Sequence, residues 1–302
     1  MLKILFTGGT GFLGSALVTR FLARNYEITL VSHNIQKVHS KFGNTVNVLS
    51  HINELADDVA IDIIINLAGA PIFGAYWTVK RKAIIKQSRI NLTQDLVAKL
   101  ATLQTKPKLL ISGSAIGYYG EQGNNNVDEN TLVNHCFSEQ LCADWENAAL
   151  KAEEYGMRVC LIRTGLVLGR AGGFLQPMIL PFKLGLGGRL GTGQQWMSWI
   201  HINDWLAIVD KMIADEQMQG AFNATAPNPV RNQEFSKVLA HCFNKPAFLP
   251  VPSPFLKLLL GEMSELLLGS QRVLPKRLET LGFTFEFCDL TAALEQVLGK
   301  DE

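Results

Sequence analysis

The segment Thr7-Gly8-Gly9-Thr10-Gly11-Phe12-Leu13-Gly14 constrains this chain more than any other. It follows an apolar run at residues 2–6 and opens into a stretch whose apolar residues recur at helical spacing. The pattern predicts a strand, a tight glycine turn and a helix start, with Gly8, Gly11 and Gly14 three residues apart. Glycine permits the turn and leaves no Cβ in the way of a diphosphate. The unpaired N–H groups at the helix start then face its oxygens. A glycine triplet alone says little; between a buried strand and a helix it points to a dinucleotide.

The first half of the chain repeats this alternation. Strand patterns fall at residues 27–31, 46–49, 61–66, 107–112 and 158–163, and helical patterns at 12–24, 77–103 and 138–155. Repeated βα units imply right-handed crossovers and an α/β fold with a doubly wound parallel sheet. Past Arg163, glycines crowd residues 165–193, and helical patterns follow near 176–184 and at 204–214, 232–243, 255–268, 275–281 and 290–298. Asp204 reads as the N-cap of the helix it opens. The chain thus divides into a nucleotide-binding domain at residues 1–165 and a smaller, mainly helical substrate lobe at 166–302, with a late strand near 221–226 expected to rejoin the first sheet.

Composition narrows the function classes. The 302 residues are 47% hydrophobic and 18% charged, as in a folded globule. A net charge of +1 gives no bulk attraction to nucleic acid or an anionic membrane. Five scattered cysteines (Cys136, Cys142, Cys160, Cys242, Cys288) and six histidines show neither disulfide-framework nor metal spacing. The most apolar stretch, residues 255–268, carries Lys257, Glu262 and Glu265, so no bilayer span is expected. No basic leader precedes the first strand, and a cytoplasmic protein is expected, with a homodimer as an open alternative to a monomer.

Several motifs together resemble the extended short-chain dehydrogenase/reductase superfamily, which includes nucleotide-sugar epimerases and dehydratases. Gly8, Gly11 and Gly14 are similar to its glycine motif, Asn66-Leu67-Ala68-Gly69 to its N-x-A-G turn, Ser112 through Gly120 to its serine-bearing strand end, and Trp199-Ile200-His201-Ile202-Asn203-Asp204 to its f-i-H-V-x-D segment. Trp145-Glu146, residues 181–188 and the stretches Leu260-Gly261-Glu262 and Gln271 through Pro275 resemble more narrowly the YfcH/SulA-like epimerase branch, which has a small C-terminal domain, here near residues 250–298. The resemblance implies a Rossmann-type sheet, a pyridine dinucleotide and a small-molecule substrate.

The second predicted strand ends in Ser32-His33-Asn34, where NAD-selective folds place a carboxylate for the ribose 2′-hydroxyl. An acid there would repel a 2′-phosphate. Its absence favours NADP(H) over NAD(H), with Ser32 and Asn34 as hydrogen-bond donors and His33 and Lys37 as sources of positive charge. The candidate cofactor residues are Gly8, Thr10, Gly11, Phe12, Leu13 and Gly14 in the loop, Ser32, His33 and Asn34, the turn Leu67, Ala68 and Gly69, and Arg163, whose partner is either a phosphate or an acid.

The superfamily's chemistry implies a serine, and a tyrosine and lysine spaced Y-x-x-x-K, the lysine lowering the tyrosine pKa so that it exchanges a proton at the oxygen while hydride moves at carbon. Ser114 stands at the serine position. With Glu146 as anchor, the tyrosine position falls on Ser138 and the lysine position on Cys142, and no Y-x-x-x-K occurs in residues 127–152. Serine has too high a pKa to replace the tyrosine unaided, and cysteine carries no positive charge. Tyr118 and Glu139 are the candidate replacement acids, with Tyr119 and Asp144 beside them. His201 and Asp204 could form an acid/base pair but read better as architectural, and the cations of residues 77–89, among them Arg81 and Arg89, could guide an anionic substrate but are explained more simply as a solvated helix face. Two functions remain open: an NADP(H)-dependent oxidoreductase or epimerase-like enzyme, and a catalytically silent dinucleotide-binding sensor or interaction protein, for which the branch label hints at cell division.

Overall fold

Alternate residues along the central strands face opposite sides, and both sides are apolar, which is the pattern of a parallel sheet buried on both faces. The computed structural model describes residues 1–131 and 136–299. Its sheet contains β1 (Lys3–Thr7), β2 (Glu27–Val31), β3 (Asn47–Leu49), β4 (Ile63–Asn66), β5 (Leu109–Ala115), β6 (Arg158–Thr164) and β7 (Gly220–Ala224). All pairings are parallel, in the order β3-β2-β1-β4-β5-β6-β7. The order reverses at β1, so ligands are expected in the crevice at the carboxyl ends of β1 and β4. The late strand does rejoin the sheet, as its outermost member beside β6.

Helices α1 (Phe12–Leu22), α2 (Ile35–Phe42), α3 (Val79–Lys86), α4 (Leu92–Thr102) and α5 (Phe137–Leu150) connect the strands. The later chain adds α6 (Gln176–Lys183), α7 (Ile202–Ala214), α8 (Asn232–Cys242) and α9 (Ser253–Leu260), then short helices and a last one at Leu290–Leu298. Ile4, Phe6, Ile63, Ile65 and Ile111 pack with Leu17 and Phe21 of α1 and Trp205 of α7. Leu5, Ile64, Leu110 and Leu161 pack on the other side with Leu96 and Leu100 of α4 and Ala149 of α5. A third core, around Trp199, Phe235 and Leu294, ties α8 to the last helix. No helix among the described residues is long and apolar enough to cross a membrane.

Asp204 does not cap α7. The helix begins two residues earlier, and the His201 ring Nδ1 accepts the Asn203 amide at 3.1 Å in the capping position. Asp204 instead accepts the Glu286 and Phe287 amides at 2.7 and 3.0 Å, pinning the C-terminal segment. The His201 Nε2 lies 2.8 Å from Gln296 Oε1, so the ring is a neutral Nε2–H donor, and burial lowers its pKa. Both residues are architectural.

Strand parity also sets the polar end of the sheet. Asn66 follows Ile64 on the α4–α5 side and is fully buried. It accepts from the Thr7 hydroxyl at 2.6 Å and donates to Thr93 at 2.8 Å and Ser112 at 3.1 Å, joining β1, β4, β5 and α4 at the edge of the crevice. Each hydroxyl left unpaired in a buried site costs about 1–3 kcal/mol. Asn66→Leu is therefore expected to lower the unfolding free energy by about 2 kcal/mol or more in urea titration; an unchanged midpoint contradicts this account of the sheet edge.

Candidate functional site

The loop between β1 and α1 is a cradle that side chains would fill. Gly8 has φ +74°, and a Cβ there would stand 2.6 Å from the Leu67 carbonyl and the Ala68 nitrogen. A Cβ on Gly14 would meet the Gly8 carbonyl oxygen at 2.3 Å. Gly11 donates to Gly8 O at 3.0 Å and is the N-cap of α1, with no side chain closing the helix end. The first-turn amides of Phe12, Leu13 and Gly14 are thus directed at the crevice without intrahelical partners. The Phe12 ring packs under the Gly169–Gly173 turn, where Cβ atoms on Gly169, Gly172 and Gly173 would collide with it, and Leu13 and Leu67 pack against the core. These residues reach the crevice through their backbones, and the cradle fits a diphosphate.

At the β2 end, Ser32 Oγ accepts the Asn34 amide at 3.3 Å and Asn34 Oδ1 caps α2 by accepting the Lys37 amide at 2.8 Å. His33 is exposed beside them. One residue was missed in the sequence: Lys41, one turn beyond Lys37, extends its ammonium to within 3.2 Å of the Thr10 carbonyl in the glycine loop. Partial burial, and then the charge of Lys37, lowers the Lys41 pKa. The i, i+4 spacing of the two lysines was the signal, and it needed the helix phase to be read.

The expected catalytic residues turn away from the crevice. Ser114 follows Ser112 on the α5 side, is 5% exposed, and donates to Glu146 Oε1 at 2.6 Å. Arg163, its partner in register on β6, is equally buried and grips Glu146 with two hydrogen bonds of 2.8 Å. Its Nη1 donates to Tyr119 at 2.9 Å, and Tyr118 covers its face at 3.5 Å. Arg163 is therefore half of a buried ion pair and not a phosphate ligand, because the acid that strand parity brings opposite it is Glu146. Tyr119 is fully buried and donates to Asn223 at 2.7 Å; burial pushes its pKa up to about 12. Tyr118 is a packing partner of that network, and Glu139 accepts the Cys136 amide at 3.1 Å as the third residue of α5. None of Ser114, Tyr118 and Glu139 lines the cleft beside the crevice.

That cleft, of 570 Å³, lies at the carboxyl ends of β5 and β6. Its floor is Ala115, Ile116 and Gly117, its walls include Ser138 and Cys142 of α5 and Thr164 and Leu166, and the segment at 264–269 covers it. A Cβ on Gly117 would lie 3.5 Å from Ser138 Cβ and 3.8 Å from Cys142 Sγ, so the glycine sets the width. Cys142 is a neutral thiol, its pKa pushed up to about 12 by burial and the nearby Glu146. Thr164 is bonded to Ile162 O and Trp205, and Ser264 to Gly261 O. Ser138 remains, its hydroxyl 3.2 Å from Cys136 Sγ. A second, more apolar hollow of 630 Å³ adjoins at Phe73, lined by Tyr76, Phe174, Met178, Leu259 and Met263 among others. The glycine-rich loop at 185–193 is tied to the segment after α8: Gly191 N–H donates to Val251 O at 2.8 Å and Val251 N–H to Arg189 O at 2.9 Å.

Residues 4–224 match the NAD dependent epimerase/dehydratase family. The chain belongs to that family. Residues 251–297 match a domain of unknown function, DUF1731, which contributes the cover of the cleft. The epimerase family protein YfhF of Bacillus subtilis is 38% identical over 299 residues, covering 98% of each chain. The crystal structure of the human epimerase family protein SDR39U1 (isoform 2) with NADPH superposes with a TM-score of 0.88 at 31% identity, over 98% of this chain and 99% of that one. The UDP-glucuronic acid 4-epimerase of Bacillus cereus, at 18% identity and a TM-score of 0.78 over 99% of this chain and 98% of that one, shares the fold. This family member is thus an extended short-chain dehydrogenase/reductase that binds NAD(P). Gly14→Ala is expected to weaken dinucleotide binding at least about tenfold by calorimetry, since its methyl displaces the loop that positions the amides; retained affinity contradicts the cradle.

Proposed function

We propose that this protein is an NADP(H)-dependent oxidoreductase acting on a small, largely apolar carbonyl or alcohol. The observation that carries the reading is the cleft of Ala115–Gly117, Ser138 and Cys142, which lies at the strand ends next to the glycine cradle and continues into the apolar hollow at Phe73. NADP(H), when bound, supplies or accepts a hydride. The chain's part is to hold a substrate oxygen at the Ser138 hydroxyl beneath the 264–269 cover, in a cleft that water still enters, and to leave the substrate's apolar remainder against Phe73, Leu259 and Met263. With Cys142 neutral and Tyr119 sealed in the core, the proton at that oxygen is exchanged with water.

NADP(H) is supported by the carboxylate-free turn at Ser32–Asn34 and by the Lys41 ammonium at the Thr10 carbonyl of the glycine loop, with the charge of Lys37 acting on it. A charge-assisted hydrogen bond to a phosphate is worth about 1.5–3 kcal/mol. Lys41→Ala should therefore weaken NADPH binding about tenfold or more and leave NADH within about twofold, by calorimetry; equal losses for both contradict the assignment.

NADPH consumption across a panel of apolar aldehydes and ketones, beside nucleotide sugars, tests the reaction. Turnover is expected with the apolar carbonyls, and Ser138→Ala should reduce kcat/KM about tenfold to a hundredfold. A protein that binds NADPH tightly while no member of the panel oxidises it supports the second reading, a silent dinucleotide-binding sensor. The observation favouring that reading is the withdrawal of Ser114, Tyr118 and Glu139 into structural contacts.

A further inference from the structure

The helical passage from α3 to α4 is interrupted by a π turn at Gln87–Asn91. A π turn adds a residue and shifts the helix face, a device concentrated at functional sites. Here it carries Arg89 off the solvated face expected from the sequence into the protein, where it is 8% exposed. The guanidinium lies flat against the turn that follows β4: a Cβ on Gly69 would stand 2.8 Å from Cζ, 2.9 Å from Nη2 and 3.1 Å from Nε. Nη1 donates to the carbonyls of Ala70 and Ile85 at 3.1 and 3.3 Å, and the Trp145 ring centroid is 5.4 Å from Cζ.

Among the described residues no carboxylate is hydrogen-bonded to or ion-paired with Arg89, and its hydrogen bonds to them all leave from Nη1. Its electrostatic neighbours are the Cys142 thiol and a second cation, Arg81. Arg81 donates through Nη2 to the Pro71 carbonyl of the same turn, while its Nε is buried without a partner. Burying a guanidinium costs several kcal/mol unless an anion or a full set of acceptors compensates it. Two guanidinium groups meeting at one turn with no acid indicate that the missing partner is a ligand.

The location says which part of the ligand. The glycine cradle lies over β1, whereas Arg89 is displaced past β4 toward β5 and α5, on the side of the cleft. It stands beside Cys142, the position at which the superfamily's lysine is absent from this chain. We propose that Arg89 is a cofactor-binding residue that holds the nicotinamide ribose-phosphate half of NADP(H), entering from the π turn to supply the fixed positive charge that α5 lacks. This rests on the reading that the crevice takes NADP(H).

Two ligands separate the halves of the cofactor: NADPH, and 2′,5′-ADP, which contains only the adenosine half. Calorimetry on Arg89→Gln is expected to show NADPH binding weakened about tenfold or more, with 2′,5′-ADP held within about twofold of the unaltered protein. Arg89→Lys, which keeps the charge and loses the fork, should fall between the two. Unchanged NADPH affinity in Arg89→Gln overturns the proposal, and so does a parallel loss of NADPH and 2′,5′-ADP. If Arg89→Gln does not fold, the Arg89 Nε–H resonance of the unaltered protein gives the same answer: it should move with NADPH and stay in place with 2′,5′-ADP, and no movement with NADPH overturns the assignment. Failure of the unaltered protein to bind either ligand overturns the NADP(H) reading itself and the proposal with it, an outcome distinct from tight binding that ignores Arg89.

Discussion

Gly8 is squeezed between two other pieces of backbone. Its missing side chain is replaced by the Leu67–Ala68 peptide, its carbonyl accepts from Gly11, and the same oxygen fills the space a Gly14 methyl would need. This three-way contact locks the ends of β1 and β4 to the first turn of α1. It fixes the direction of the free amides and, through the turn after β4, the place where Gly69 meets Arg89. Asn66 lies just beneath, tying the same strands through hydroxyls. The position of the cleft relative to the cradle follows from this one packing arrangement.

Around that frame the chain rearranges its polar groups relative to the resemblance it shows. Ser114, Glu146, Arg163, Tyr119 and Asn223 form one buried chain of hydrogen bonds that clamps α5 to β5, β6 and β7. Breaking a buried pair of this sort strands an uncompensated charge, at a cost of about 3–5 kcal/mol. Its members are held in structural contacts that point away from the cleft. The cleft above them retains the Ser138 hydroxyl, engaged only by the Cys136 sulfur among the described contacts, and the neutral Cys142.

The sheet was legible because its strands are short apolar runs between breakers, and those patterns depend only on neighbours in sequence. The glycine loop was legible for the same reason. What escaped depended on partners far along the chain. Asp204 looked like a cap, but an imidazole three residues earlier took the role and the carboxylate reached residues 286 and 287. Arg163 suited a phosphate, but strand parity turned it to the α5 side, where Glu146 holds it. Ser114 was at the right position, and parity turned it toward the helix. Lys41 and Arg89 were hidden because composition describes how many charges a helix carries, not which way they point, and the π turn that redirects Arg89 has no sequence signature.

The central claim is that the dinucleotide lies across the carboxyl edge with its nicotinamide in the cleft beside Ser138 and Cys142. A crystal structure of the NADP⁺ complex tests it most directly. The account predicts the diphosphate on the amides of Phe12, Leu13 and Gly14, the 2′-phosphate between Ser32 and Lys41, and the nicotinamide ring over Ala115–Gly117. A nicotinamide extended into solvent, or a diphosphate bound away from the α1 N-terminus, would contradict it.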